Sequence, residues 1–579
     1  MGLITTNEAK CRDCYRCVRI CPVKAIAISS DKENAALHVK VIDELCIKDG
    51  NCILACPQNA KKLLSNDLAE VIRLLERGEL LAAAVAPSFV AGLPLKDPGL
   101  MPDLLRKIGF NIVQETSVGA GLVVRHHFQL GFDKPLIGSS CPVIVNLVER
   151  YYPQLIPMLA PVVSPMIAHG RYIKANNPRC KVVFIGPCVA KKEEYTTAGI
   201  SDAVDFVLGF DELWDLVKHF NIDLNDLTPS NFDNAPTGTN CLFPLEGGML
   251  RCINKGLNGS EEDFVSISGL DDCIDFLHHL AGGGIGKQPK LIELLACKGG
   301  CINGPLSMCR DESLYVRRRK VQDYYKSVSN RGDDCIDEQL PGHLMQRSYQ
   351  CRKVNAAYPS AAELQEILAR TGKYKPEDEL NCGACGYDTC RDKAIAVYQG
   401  KAEVEMCIPY MRKRAESLSN VVTAAMPNGI IVIDSTQTIL EINPAAERMF
   451  RCSGADVVGK KLDTVINPEN FIRVMNSGKM LNVCCDYPDK DIVTSEIIFP
   501  VEQENLVVGI FIDVTEEKRQ REQFELIKNQ TIVQAQEVIE KQMKVAQEIA
   551  GLLGEATAES KIQLSRLIKL MREDPSRKE

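Results

Sequence analysis

Apolar residues along the chain follow changing periods, and the changes mark the predicted domains. Between residues 78 and 355, short apolar runs such as 81–86 alternate with helical stretches, which is the order typical of an α/β domain. Between residues 418 and 515, the strand-like runs 429–434 and 507–512 enclose helical sequence. The pattern therefore predicts an α/β domain followed by a smaller α+β domain.

The segment 516–571 is charged and helical, and it carries an apolar stripe. Residues seven apart form the stripe, namely Phe524, Thr531, Val538, Val545 and Leu552, and a parallel row contains Ile532, Ile539, Ala546 and Leu553. A seven-residue repeat is typical of a coiled coil. The stripe predicts a homodimer, and the alternative is one amphipathic helix that packs on its own domain.

Length and charge narrow the possible classes. A chain of 579 residues is too long for one hydrophobic core, so several domains are expected. The net charge of −8 gives no reason to expect nucleic acid as a partner. The best candidate for a membrane-crossing run, residues 80–95, is interrupted by Pro87, Gly92 and Pro94. We therefore expect no membrane association and, with no secretory signal pattern, a cytoplasmic location.

Many of the 25 cysteines are clustered at ligand spacing. In a reducing compartment, clustered thiolates indicate metal binding rather than disulfides. Residues 1–60 hold two linked runs. The first run consists of Cys11, Cys14, Cys17 and Cys21, followed by Pro22, and the second consists of Cys46, Asp49, Cys52 and Cys56. Asp49 stands where the first run has its second cysteine.

The two runs resemble those of two-cluster bacterial ferredoxins. The resemblance implies one cluster bound by Cys11, Cys14, Cys17 and Cys56, and another bound by Cys21, Cys46 and Cys52. The fourth iron of the second cluster is then held by the Asp49 carboxylate, held by hydroxide, or missing, which leaves a 3Fe-4S cluster. Oxygen is a harder ligand than sulfur, so this iron is expected to be labile. A structural zinc site is the alternative for the first run.

Three more cysteine motifs occur within residues 78–355. Cys141 follows Ser139 and Ser140, Cys188 is followed by Lys191 and Glu194, and Cys297 and Cys301 lie in a glycine-containing segment. In this order, the motifs resemble the three H-cluster signatures of iron-only (FeFe) hydrogenases. With the flanking cysteine modules, the resemblance covers about the first 410 residues.

The hydrogenase resemblance implies a complete H-cluster. A 4Fe-4S cubane would be held by Cys141, Cys188, Cys297 and Cys301, and the Cys301 thiolate would bridge to a two-iron subsite carrying CO, CN and azadithiolate. Lys191 matches the lysine that binds one cyanide, and the segment Ala86, Pro87 and Ser88 resembles the one that contacts the other. A buried anionic ligand needs a fixed cationic donor, so the chemistry agrees. The alternative for Lys191 is a surface lysine.

The proton supply departs from the family's pattern. Ser140 stands where catalytic members have a cysteine, and His126 and His127 align loosely with relay glutamates. Because a hydroxyl has a far higher pKa than a thiol, slow proton transfer and low turnover are expected. Glu194 matches an outer proton-relay glutamate, and its alternative is a surface carboxylate. The catalytic candidates are therefore Ser140, Lys191, Glu194 and His126.

The remaining motifs lie towards the end of the chain. Cys382, Cys385, Cys390 and Cys407 resemble a small four-cysteine 4Fe-4S module, for which zinc is the alternative. Residues 418–515 resemble a PAS domain. Cys484 and Cys485 within it are expected to be strand residues that face opposite sides, rather than a redox pair.

Together these patterns predict a multidomain chain of the α/β and α+β classes. The predicted parts are a ferredoxin-like two-cluster module at 1–60, an α/β H-cluster domain at 78–355, a small helical 4Fe-4S module at 360–412, a PAS domain at 418–515 and a coiled-coil-like helix at 516–571. The resemblance implies a sensory hydrogenase that reacts slowly with H2 and protons and signals to a separate kinase or phosphatase. The alternatives are a metabolic hydrogenase linked to ferredoxin and a non-enzymatic iron–sulfur scaffold.

Overall fold

The computed structural model describes residues 2–30, 37–234, 238–254, 263–284, 286, 288–329, 340–501, 504–550 and 558–572. Leu552 and Leu553 of the predicted stripe lie outside these ranges. The chain divides into two compact units, Met1–Tyr410 and Met411–Glu579. Within the described ranges, no helix has both the length and the apolar content that crossing a membrane requires.

The first unit begins with a small module whose core is rich in sulfur. Its elements are β1 (Ile4–Thr6), α1 (Arg16–Ile20), β2 (Ile26–Ser30), β3 (Leu37–Val41), α2 (Asn51–Ala55) and β4 (Lys61–Leu63). β1 pairs with β4 and β2 pairs with β3, both antiparallel. Four cysteine side chains are buried in the core, those of Cys17, Cys21, Cys46 and Cys52. Two-stranded sheets bury little apolar surface, so these thiols make up much of the interior.

The central domain is built around two parallel sheets. Its elements are α3 (Asp67–Glu76), β5 (Leu81–Val85), α4 (Phe89–Gly92), α5 (Leu100–Ile108), β6 (Ile112–Glu115), α6 (Ser117–Leu130), β7 (Leu136–Ile137), α7 (Pro142–Tyr151), α8 (Pro165–Asn176), β8 (Lys181–Ile185), α9 (Lys191–Glu194), β9 (Phe206–Leu208), α10 (Phe210–His219), α11 (Gly248–Asn254), β10 (Phe264–Ser268), α12 (Leu270–Ala281), β11 (Leu291–Leu295), α13 (Leu314–Ser329) and α14 (Gly342–Met345). The sheet orders are β6-β5-β8-β9 and β10-β11-β7. Every residue of β5 and of β11 is buried, because helices cover both faces of a parallel sheet.

Close packing of two helices sets one wall of the central domain. Gly119 on α6 lies against the Pro165 carbonyl oxygen and the backbone of His169 on α8, and these leave no room for a side chain. The contact fixes the start of α8, where Ser164 and Pro165 lie.

The third part of this unit is a short helical module. It contains α15 (Ala361–Ala369), α16 (Cys390–Tyr398) and the start of α17 (Ile408–Ala425). The module packs directly on the N-terminal one. Arg19 donates to the Ala384 carbonyl oxygen at 3.2 Å and Lys24 donates to the Gly386 carbonyl oxygen at 3.0 Å. Tyr387 joins the buried core that contains Cys17 and Cys21.

The second unit contains a five-stranded antiparallel sheet and two long helices. Its elements are β12 (Gly429–Asp434), β13 (Ile439–Ile442), α18 (Pro444–Phe450), α19 (Gly454–Val457), α20 (Glu469–Ser477), β14 (Leu481–Tyr487), β15 (Ile492–Val501), β16 (Leu506–Asp513), α21 (Thr515–Ala550) and α22 (Ala558–Arg572). The strand order is β13-β12-β16-β15-β14. Cys484 is exposed and Cys485 is half-buried, which confirms that they alternate along a strand.

The predicted stripe lies on one continuous helix. α21 has 36 residues. Phe524, Val538 and Val545 are 65%, 56% and 53% exposed, so more than half of each side chain faces solvent. An isolated helix gains most of its stability from packing an apolar face, so exposed apolar residues at this spacing favour a partner.

Candidate active site and iron–sulfur sites

One cavity collects the ends of five parallel strands in the central domain. Ala86–Ser88 follow β5, Thr116 follows β6, Ser140 and Cys141 follow β7, Cys188 follows β8, and Cys297 and Cys301 follow β11. All of them line the same cavity. Functional groups in parallel α/β folds lie at the carboxyl ends of the strands. The residues that line this cavity have the same position.

The four cysteine thiols in this cavity repel each other when ionised. Burial, together with the charges of Cys141 and Cys188, raises the pKa of Cys301 to about 12. Burial likewise raises the pKa of Cys188 to about 11, against the lowering influence of Lys191. Metal ligation requires thiolates, so this arrangement accepts four negative charges only when a strongly cationic group neutralises them. An iron–sulfur cluster meets that requirement.

Lys191 reaches the cavity from the first turn of α9. Its Nζ lies 3.0 Å from Glu194 Oε2 and 3.2 Å from Ser164 Oγ. Burial opposes its charge, but Glu194 and Cys188 together raise the pKa of Lys191, so it stays cationic. The ammonium is therefore held in place beside the cavity, as a fixed donor to an anionic ligand must be.

Glu194 does not line the cavity and is fixed by two cations. Its Oε1 accepts from Arg347 at 2.8 Å, and its Oε2 accepts from Ser164 at 3.0 Å as well as from Lys191. Burial raises the pKa of Glu194. The charges of Lys191 and Arg347 together lower it by more, so the pKa of Glu194 lies below its usual value. A carboxylate bound in this way orients Lys191 and is a poor proton carrier.

The cavity holds two hydroxyl groups that its other walls do not satisfy. Ser88 Oγ and Ser140 Oγ are shielded from solvent and have no hydrogen-bond partner in the part of the chain that the structure describes. Apolar side chains form much of the remaining wall, among them Val143, Met166 and Phe184. Buried hydroxyls are normally paired, so unpaired ones that line a cavity fit a polar group inside it. The donor set fits a cluster that carries cyanide and an amine.

The predicted histidines lie elsewhere. His126 bonds through Nδ1 to Gln129 Oε1 at 3.0 Å, and His127 bonds through Nδ1 to the Val123 carbonyl oxygen at 2.8 Å. Neither ring lines the cavity. Thr116 does line it, and its Oγ1 lies 3.2 Å from Nδ1 of the buried His169. Thr116 is not among the site residues predicted from the sequence, although its position directly after β6 could have indicated it.

The N-terminal thiols fall into two electrostatic groups. The charges of Cys11 and Cys14 raise the pKa of Cys17. The pKa of Cys52 is instead raised by the charges of Asp49, Cys46 and Cys21. These groups support the ligand sets that the ferredoxin resemblance implies. Cys56, at the end of α2, accepts a hydrogen bond from the Ala60 amide at 3.2 Å.

Asp49 lies inside the second group. Its Oδ2 is shielded from solvent and has no hydrogen-bond partner within the described ranges. Burial raises the pKa of Asp49 to about 6, against hydrogen bonds from Asn51. A buried carboxylate oxygen that lacks a donor, in a group whose charge influences three thiols, is well placed to bind a metal.

The third cysteine group lines its own cavity. The cavity is lined by four cysteines and two lysines, namely Cys382, Cys385, Cys390, Cys407, Lys373 and Lys393. Lys373 donates to Cys407 Sγ at 3.3 Å. Buried lysines beside four thiols fit an anionic cluster. Among the described residues, no three His, Cys, Asp or Glu side chains meet at the distances of a single metal ion.

Comparison with protein families agrees with this arrangement. Residues 79–305 match the family of the iron-only hydrogenase large subunit, C-terminal domain. Residues 10–60 match the 4Fe-4S dicluster domain, residues 378–409 match a family of Fe-S cluster domains, and residues 417–482 match the PAS fold. The chain is therefore an iron–sulfur protein with an iron-only hydrogenase domain and a PAS domain, as the sequence predicted.

Two relatives connect the chain to known hydrogenases. The NADP-reducing hydrogenase subunit HndD of Solidesulfovibrio fructosivorans is 26% identical over 376 residues, and iron hydrogenase 1 of Clostridium pasteurianum is 25% identical over 368 residues. Each alignment covers 52% of this chain and 64% of the relative. The chain is thus related to hydrogenases at low identity and spans less than two thirds of the length of either relative.

Similarity extends to other proteins over shorter or looser matches. The cytosolic Fe-S cluster assembly factor NAR1 of Kluyveromyces lactis is 31% identical over 152 residues, which are 24% of this chain and 32% of that protein. A solved structure of the [FeFe]-hydrogenase HydA1 from Chlamydomonas reinhardtii covers 50% of this chain and all of its own, with a TM-score of 0.37 and 17% identity.

We predict that Asp49→Cys and Asp49→Asn both change the electron paramagnetic resonance spectrum of the second N-terminal cluster. The reason is that Asp49 Oδ2 is buried without a partner among the described residues, and the Asp49 charge raises the pKa of Cys21, Cys46 and Cys52. The measurement is made on protein loaded with iron–sulfur clusters but lacking the two-iron subsite. Glu44→Cys is the matched control, because it adds an exposed thiol to the same loop. Unchanged spectra for both Asp49 variants would show that Asp49 is not a ligand.

Proposed function

We propose that this protein reacts with molecular hydrogen at an H-cluster and serves as a sensory hydrogenase. The observation that carries the proposal is the single cavity in which Cys141, Cys188, Cys297 and Cys301 meet Lys191 and Ser140. The three motifs are separated by up to 160 positions in the chain, yet the parallel strands deliver them to one place. Four thiols alone would also suit other clusters, so the fixed ammonium is what favours a cyanide-bearing one.

In this proposal, the four cysteines hold the cubane and Cys301 also faces the two-iron subsite. Lys191 holds one cyanide, and the segment Ala86–Ser88 contacts the other through its backbone and the Ser88 hydroxyl. The bound cluster supplies the exchange of two electrons between H2 and two protons. Glu194 and Arg347 act indirectly, because they fix the position and charge of Lys191.

The proposal includes low turnover. Ser140 offers a hydroxyl at the cavity wall where fast members of the family have a thiol, and a hydroxyl does not release its proton near neutral pH. Glu194 is held as a carboxylate by Lys191 and Arg347. The apolar wall beside Val143 and Met166 adds no ionisable group. The residues that hold the cofactor are thus kept while those that supply protons are weak.

The sensory part rests on the domain composition. An iron-only hydrogenase domain and a PAS domain share one chain. We propose two N-terminal iron–sulfur clusters, the second bound in part by Asp49, and one 4Fe-4S cluster in the third module. The redox state that hydrogen sets would be read by the PAS unit and passed to a separate kinase or phosphatase. We propose that the protein acts as a homodimer in the cytoplasm.

Two other functions are compatible with some of these observations. A metabolic hydrogenase would exchange electrons with ferredoxin and would need fast proton transfer, which Ser140 and the fixed Glu194 disfavour. A non-enzymatic scaffold is suggested by the similarity to an Fe-S cluster assembly factor. A scaffold has no cyanide to bind, and the fixed ammonium of Lys191 beside the cavity therefore argues against it.

The test of the central proposal is the infrared spectrum of the protein after exposure to the H-cluster maturation system. We expect stretching bands of bound carbon monoxide and cyanide, and we expect a shift of the cyanide bands in Lys191→Met, because the ammonium contacts one cyanide. Lys192→Met is the matched control, since Lys192 is also buried but pairs with Glu212, away from the cavity. A wild-type spectrum without these bands would leave the scaffold as the better reading.

We predict that Ser140→Cys raises the rate of hydrogen evolution. A general acid or base of suitable pKa typically contributes about a hundredfold to ten-thousandfold in rate, so a thiol at this position should restore part of that factor. Ser139→Cys is the matched control, because Ser139 is buried and its hydroxyl donates to the Val162 carbonyl oxygen at 2.7 Å. A wild-type rate equal to that of fast metabolic hydrogenases would contradict the sensory proposal.

We predict that α21 dimerises the protein. In sedimentation experiments, the full-length chain should be a dimer, and both the 1–515 chain and the variant Val538→Glu with Val545→Glu should dissociate, because charge on the stripe opposes helix pairing. Gln530→Glu with Gln547→Glu adds the same charge at exposed positions off the stripe and should stay dimeric. The same association state in all four chains would remove the helix from the argument.

A further inference from the structure

The buried glutamates of the central domain are not equivalent. Glu194 is bound by Lys191 and Arg347, and Glu293 has both oxygens in hydrogen bonds, from the Met249 amide at 3.0 Å and the Ser266 hydroxyl at 2.9 Å. Glu115 differs from both. Its Oε2 accepts from the Tyr324 hydroxyl at 2.7 Å, while its Oε1 is buried without a hydrogen-bond partner among the described residues.

Glu115 lies between the cavity and an open cleft on the surface. It is the last residue of β6, and the next residue, Thr116, lines the cavity that contains the four cysteines. Glu115 itself lines the cleft, together with Asp97, Phe232 and Asp233. Its position therefore places one carboxyl group within reach of solvent on one side and of the cavity wall on the other.

Two further polar atoms without partners lie at the same edge of the sheet. Ser117 is buried next to Glu115, close enough to influence its ionisation, and Ser88 follows β5, whose Val85 pairs with Glu115. The ring of Phe89, which follows Ser88, packs edge-on against Tyr324 with centroids 5.8 Å apart. The Ser117 hydroxyl and Glu115 Oε1 are thus neighbouring buried polar atoms without hydrogen-bond partners among the described residues. Buried polar atoms of this kind are normally satisfied by ordered water.

We propose that Glu115 exchanges protons between the open cleft and the cavity, through water held beside the Ser117 hydroxyl. The inference rests on the proposed hydrogen chemistry and adds the residue that supplies its protons. A proton from solvent binds the Glu115 carboxylate, passes to the bridging water, and leaves the water for the cavity while the carboxylate regains its charge. No electron moves in this transfer.

The surroundings of Glu115 support a carboxyl that titrates in the working range. Burial raises the pKa of Glu115 to about 7, against the lowering influence of the Tyr324 hydrogen bond and of the nearby Ser117 hydroxyl. The charged groups that line the cleft are Asp97 and Asp233, and Asp233 is paired with Arg106 at 2.5 Å. Acidic groups at the cleft favour the protonated form and attract protons. Glu115 is thus protonated below about pH 7 and a carboxylate above it.

The first test uses the full chain loaded with iron–sulfur clusters but without the two-iron subsite. We expect an infrared difference spectrum between acidic and alkaline pH to contain a carboxylic acid C=O band that disappears as pH rises through about 7. The band should lose intensity in Glu115→Gln and keep it in Glu312→Gln, a matched variant at a partly exposed glutamate that pairs with Lys320. Because the buried Glu293 also has a pKa raised to about 7, the difference between wild type and Glu115→Gln is the readout, and equal intensity in both would overturn the proposal.

The second test uses the matured protein. Glu115→Gln should keep the carbon monoxide and cyanide bands, lower hydrogen evolution by about a hundredfold, and remove the inflection of the pH–rate profile near neutral pH. Glu115→Asp should retain part of the rate with a shifted inflection, and it serves where glutamine prevents folding. An unchanged rate and profile in either variant would contradict the role of Glu115. Absence of the bands in the wild type would instead refute the proposed function, while the first test still decides whether Glu115 titrates.

Discussion

The central domain depends on confining four mutually repelling thiols in one cavity. β7 and β11 of one sheet and β8 of the other all end at this cavity. They therefore bring Cys141, Cys188 and the Cys297–Cys301 pair to a common space. Buried thiols at this density resist ionisation, as the raised pKa values of Cys188 and Cys301 show. A cationic cluster relieves that repulsion, so filling the cavity and stabilising the fold are linked. β5 can be entirely apolar because the charge is collected beyond the strand ends.

The same constraint explains why the N-terminal module packs as it does. Gly50, directly after Asp49, has a φ of +78° and lies against Val189 and Pro305, which flank the cavity cysteines, and a larger side chain would not fit. Arg150 donates to the Asp43 and Glu44 carbonyl oxygens at 2.7 Å each and fixes the rest of this loop. The loop that carries Asp49 is therefore held on the outer wall of the cavity. Because this loop packs closely against Val189 and Pro305, few residues other than glycine fit at position 50.

Features that repeat or alternate along the chain could be predicted, whereas features that need tertiary contact could not. The cysteine motifs, the buried strand β5 and the first strand of the PAS domain follow from local spacing and composition. Arg347 stands 153 positions from Glu194, and no local pattern pairs them. Aligning His126 with relay glutamates did not predict its environment, because its ring bonds Gln129 on the same helix and does not line the cavity. Thr116 and Glu115 gain their positions only from where β6 ends.

The separation of cofactor-holding residues from proton-supplying residues has a physical consequence for function. In the proposed function, Lys191 and the four cysteines hold the cluster, and changes at Ser140 or Glu115 would leave those contacts intact. A metabolic enzyme is limited by its slowest proton transfer, so weak proton groups reduce its flux directly. A sensor needs only that its redox state reaches equilibrium with hydrogen before the signal is read. A rate lowered by several orders of magnitude leaves that equilibrium unchanged, because a catalytic group alters the barrier and not the energies of the two end states. A site that keeps the residues holding the cofactor but has weak proton donors would therefore suit the detection of hydrogen better than its rapid turnover.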